Sequence, residues 1–106
     1  MKKTNSFEKQ LALLQEEGNK IEEWLKEAGV SGECMGAGFE TVDGHQGRAM
    51  DFEYNGNVEY LNTDALAASI AENVIDDRFC VRVSTYGEED GEEHKNLFCV
   101  EVWLDG

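Results

Sequence analysis

The side chains best suited to nucleophilic or metal chemistry are few here: His45, His94, Cys34, Cys80 and Cys99. None forms a CxxC, HxxxH or HExxH pattern, so zinc-ligand spacing is missing. A Cys–His nucleophile pair would have to be assembled in space; small residues at packing positions are the simpler reading of the cysteines. The run Gly36-Ala37-Gly38 precedes a strand pattern and no helix opens behind it, so it fails as a phosphate loop. The acidic stretch Glu88, Glu89, Asp90, Glu92 and Glu93 lacks the spacing of an EF-hand and reads as a solubilising loop tip, with weak, non-specific Ca²⁺ or Mg²⁺ association as the alternative. We therefore expect no enzyme, no cofactor and no metal site.

Carboxylates carry the stronger signal. The chain has 23 acidic against 9 basic residues among 106, a net charge of −14. Residues 31–77 hold ten of the acids and a single base, Arg48. Such a balance argues against direct nucleic-acid binding, which needs clustered Lys and Arg, and against anionic membrane surfaces. Its natural counterpart is a basic protein surface, such as one that normally holds nucleic acid. The odd, scattered cysteines and the lack of an apolar run behind Lys2-Lys3 predict a reduced, cytoplasmic protein.

The elements that position these groups follow from periodicity. Phe7, Leu11, Leu14, Gly18, Ile21, Leu25 and Ala28 recur at steps of four and three, which predicts one helix capped by Asn5 or Ser6 and ended by Gly29. A break at Gly18-Asn19 is the alternative. Glu16–Lys20 and Glu22–Lys26 are spaced as i,i+4 pairs on it. Phe39–Val42 and Arg48–Tyr54 read as strands joined by the loop Asp43–Gly47. Asn55-Gly56-Asn57 reads as a hairpin turn into a third strand, Val58–Leu61. A second helix runs from Asp64 to about Ile75, capped by Asn62 or Thr63, with Leu66, Ile70 and Val74 as its buried stripe. Asp76-Asp77 conflict with the dipole at its end unless the helix stops early or Arg78 offsets them.

Phe79–Leu104 contains the clearest alternation. Phe79, Val81 and Val83 match Phe98, Val100, Val102 and Leu104 on one face if Arg82 stands opposite Glu101. The expected architecture is thus one domain over 1–106: a two-layer α+β fold of order α-β-β-β-α-β-β, with two helices on one face of a mostly antiparallel five-stranded sheet. That order is similar to the one in small acidic type III secretion chaperones, which usually add a last helix; the likeness is one of topology.

Register places the charges. With Phe39 opposite Phe52, Glu40 faces Asp51; with the three-residue turn, Glu53 faces Glu59. Like charges opposed across a sheet destabilise it, and such violations concentrate at working surfaces. The expected partner-binding set is Glu40, Asp51, Glu53 and Glu59, joined by the acidic tip (Glu88, Glu89, Asp90, Glu92, Glu93) and by Trp103 as an aromatic anchor. Phage-encoded inhibitors of host defence, anti-CRISPR proteins among them, often have this size and charge, and the expectation drawn from size and charge alone is a nucleic-acid-mimicking inhibitor on a basic partner. The alternative is a small acidic chaperone or adaptor that binds a peptide, or forms a homodimer, through Cys80, Tyr86, Leu97 and Trp103.

Overall fold

A computed structural model of the chain describes residues 6–86 and 96–104. The first helix, α1 (Ser6–Glu27), runs unbroken through Gly18. The glycine is there for contact: a Cβ at this position would lie 2.8 Å from Arg48 Nε and 3.2 Å from Met50 Sδ. Leu14, Ile21 and Leu25 are fully buried along its inner stripe, whereas Phe7, the first residue of the apolar spacing, is half exposed. The helix ends in a Schellman motif: Val30 N–H donates to Leu25 O (2.9 Å) and Gly29 N–H to Lys26 O (3.1 Å), with Gly29 at φ 76°. The expected i,i+4 pairs are replaced. Lys20 binds Glu17 at 2.9 Å, and Glu22 accepts the Cys34 N–H at 2.9 Å.

The strands are β1 (Gly36–Val42), β2 (His45–Glu53), β3 (Phe79–Thr85) and β4 (Leu97–Leu104), in the antiparallel order β1-β2-β4-β3. Among the described residues the sheet has four strands, not five. The segment expected as a third strand is a single 3-10 turn, Val58–Tyr60, capped by the Asn57 side chain. The physical reason is that β4 occupies the edge of β2 which that strand would have needed. Asn55 serves elsewhere: its N–H donates to Val30 O (2.9 Å) and its amide to Gly29 O (2.8 Å), tying the end of β2 to the end of α1. Tyr60, in the segment expected as a third strand, is 80% exposed.

The last hairpin keeps the expected register, with Arg82 opposite Glu101, Phe79 opposite Leu104 and Val83 opposite Val100. The first hairpin does not. Asp43-Gly44 forms a two-residue turn with both residues at positive φ (51° and 84°), the type I′ geometry that Asp-Gly favours. Strand pairing therefore extends further than expected, and Phe39 faces Arg48 instead of Phe52.

The second helix, α2 (Thr63–Asn73), is capped by Asn62 accepting the Ala65 N–H at 3.0 Å. It stops short of the expected Ile75, so the Asp76-Asp77 conflict does not arise. Asp76 instead accepts from Arg78 N–H and Nε–H at 3.0 and 3.3 Å, which holds its carboxyl below the ordinary range. Met50, Phe52, Phe98, Val100 and Val102 from the sheet join Leu14, Ile21, Leu25, Leu66 and Ile70 from the helices in one core. Both helices thus lie on one face of the sheet. They cover β2, β4 and β3 and leave β1 bare: six of its seven residues are exposed. No described helix is long and apolar enough to cross a membrane.

Candidate functional site

Alternation along the strands sends one set of side chains to the helices and the other outward. Gly38 and Glu40 of β1, Gly47, Ala49, Asp51 and Glu53 of β2, Cys99, Glu101 and Trp103 of β4, and Cys80 and Arg82 of β3 share the outer face. Glu40 stands opposite Gly47, and Glu101 opposite Ala49. Those two small residues let the long carboxylate side chains reach each other across β2. The result is a carboxyl pair: Glu40 is raised above its ordinary 4.5, first by its hydrogen bond with Glu101, then by burial and by the Glu101 charge. Arg82 opposes that rise and Asp51 adds to it.

Arg82 is the cation described on this face. Its Nε donates to Glu101 Oε1 at 2.9 Å, its Nη1 to Asp43 Oδ2 at 3.4 Å, and its guanidinium lies over the Trp103 ring at 5.5 Å. Asp51 accepts a 2.5 Å bond from the Tyr86 hydroxyl, which reaches over β4. Cys99 sits amid these groups. Burial, followed by the charges of Asp51, Glu101 and Glu40, pushes its thiol up to about 12, so it is a poor nucleophile at neutral pH.

The expected site residues thus divide. Glu40, Asp51 and Glu53 do share the outer face, but Glu40 faces Gly47 and not Asp51, while Asp51 faces Gly36 on β1 and Cys99 on β4. Glu53 stands opposite Leu97. Glu59 lies in the 3-10 turn, so the Glu53–Glu59 opposition does not exist. Glu88, Glu89, Asp90, Glu92, Glu93 and His94 lie outside the described residues. Trp103 is half-buried beneath Arg82, and its expected patch partners Cys80, Tyr86 and Leu97 are each half-buried. The sequence reading missed Asp43 and Glu101 as members of the cluster. The Asp43-Gly44 hairpin signal would have placed Asp43 at the turn and Glu40 opposite Gly47, whereas Glu101 joins them only through the long-range pairing of β2 with β4.

The strands hold Cys34 and Cys99 away from His45. Cys34 precedes β1 and His45 follows it, which separates them by about 20 Å of strand, and Cys99 is equally far along β2 from His45. Among the described residues no group of three His, Cys, Asp or Glu is placed to hold a metal ion. A shallow cleft between the helices, lined by Lys20, Trp24, Asn73 and Val74, encloses about 220 Å³, below the usual ~300–1,000 Å³ of small-molecule pockets. In comparisons with family models, with curated proteins and with solved structures, nothing matches this chain.

Proposed function

We propose that the chain is a non-enzymatic acidic binding protein whose outer sheet face docks on a basic surface of a partner protein, in the manner of an inhibitor that occupies a nucleic-acid site. The observation that carries this reading is the carboxyl pair Glu40–Glu101, set beside Asp51 and Asp43 with Arg82 as the cation described among them. Crowded carboxylates cost folding stability, and a cationic partner relieves that cost on binding. Net charge of −14 adds long-range steering toward such a partner.

The test is capture of the basic partner at low salt, followed by elution with duplex DNA or with salt. A partner displaced by DNA, whose affinity falls steeply with ionic strength and is weakened by Glu40→Gln and Asp51→Asn, fits the proposal. A partner that stays bound through high salt and excess DNA would overturn it. The chaperone or dimer alternative gains less support, because Arg82 covers Trp103 and Tyr86 is held by Asp51.

A further inference from the structure

Strand β1 is the sheet edge that the fold leaves unfinished. Among the described residues nothing pairs with its outer side, no helix covers its inner face, and it carries neither Lys nor Pro to discourage a neighbour. The other edge, β3, packs beside α2 and presents Arg82. An open edge strand offers a ladder of backbone N–H and C=O groups to an extended segment, and the flanking side chains select its sequence.

The two faces of β1 ask for different side chains. On the outer face Gly36 and Gly38 have open space where a Cβ would project. Beyond Gly36, one strand further in, stands Asp51, and beyond Gly38 come Ala49 and then Glu101. A strand added to β1 would lie about two strand spacings from β2, roughly 9.6 Å. Lys or Arg side chains can cross the bare glycines over that span and meet Asp51, with Glu40 beside them. Tyr86 occupies one oxygen of Asp51, and a carboxylate accepts further bonds. On the inner face Phe39 is 43% exposed and stacks on the Arg48 guanidinium at 5.2 Å, with Ala37 and Thr41 beside it. Apolar side chains there would bury the ring.

We infer that β1 receives an extended basic segment of the partner as an added strand, with Lys or Arg at alternate positions over Gly36 and Gly38 and apolar residues beside Phe39. This rests on the proposed function and names the form of its partner. A second copy of the chain is a poorer occupant, since it would bring another −14 of charge to the same edge.

The test is hydrogen exchange, followed by NMR, on the whole chain with a blocked seven-residue peptide alternating Arg and Val. The expected result is at least tenfold slower exchange in residues 36–42. Gly38→Leu, which meets open space and so leaves thermal unfolding intact, should weaken the peptide about tenfold, and Asp51→Asn about fivefold. A peptide N-methylated at alternate residues on its pairing edge should not bind. Peptide effects confined to β3 or the helices, binding indifferent to Gly38→Leu or to N-methylation, or a dimer joined through β1 in sedimentation would each overturn the inference. Salt-sensitive, DNA-displaced binding of a folded basic partner without protection of β1 would remove this inference and leave the proposed function standing. Peptide addition at β1 with no partner displaced by DNA would remove the proposed function instead.

Discussion

Replacing Glu40 by Gln should stabilise the free protein at neutral pH and do nothing in acid. In the folded chain its carboxyl is raised from the ordinary 4.5 by the hydrogen bond and charge of Glu101. A raised acid favours folding while protonated and loses that contribution as pH climbs from about the unfolded value through the folded one. Above that window the repulsion is constant. Gln keeps a donor for Glu101 and carries no charge, so it stands in for the protonated acid at every pH. Glu40 is largely exposed, so solvent screening keeps the gain to about 0.3–0.5 kcal/mol, or roughly 2–3 °C in Tm for a domain of this size. Thermal unfolding followed by circular dichroism at pH 7 should show it, the gain should shrink in 0.5 M salt, and at pH 3.5 it should vanish. Glu101→Gln tests the same pair with opposite sign, because it removes the negative charge from the 2.9 Å bond to Arg82 and should cost about 0.5–1 kcal/mol. A Glu40→Gln variant that loses stability at pH 7, or gains as much at pH 3.5, would refute the carboxyl pair.

Val100 is fully buried between Met50 and Val83, so Val100→Ala should lower stability by about 2 kcal/mol in urea unfolding. Gly47→Ala should cost about 1–3 kcal/mol by the same assay, since its Cβ would lie 2.7 Å from Val42 Cγ2 and 3.0 Å from the Val102 carbonyl, and the backbone oxygen cannot turn aside. Gly44→Val should weaken the first hairpin by 1 kcal/mol or more, approximately the cost of placing a β-branched residue at φ 84°. Alkylation at pH 8 should spare Cys99 in the native protein, where a thiol near 12 is ionised in about one molecule in 10⁴; modification of Cys99 as fast as Cys34 would contradict its placement among the three carboxylates.

The amino-acid sequence by itself determined the parts whose cause is local. The four-and-three spacing from Leu11 to Leu25, the glycine stop at Gly29, the Asn62 cap and the alternation of Phe79–Val83 against Phe98–Leu104 each have one low-energy arrangement, and each forms as its residues dictate. That outward charge gathers on one sheet face was legible in Glu40, Asp51 and Glu53 because the β1–β2 register differs from the expected one by four residues, an even step that keeps every side chain on its face. Which residues meet on that face was decided by tertiary structure. Asp43-Gly44 and Asn55-Gly56 are equivalent turn signals, and both cannot become hairpins of β2 once β4 has taken its second edge. The long-range pairing of β2 with β4 buries Met50, Phe52, Phe98 and Val100 together, a gain that a strand bringing only Val58 and Tyr60 to the inner face could not match. That burial left Glu59 outside the sheet, and together with the β1 register that the Asp43-Gly44 turn sets on the other edge of β2 it brought Glu40 to Glu101.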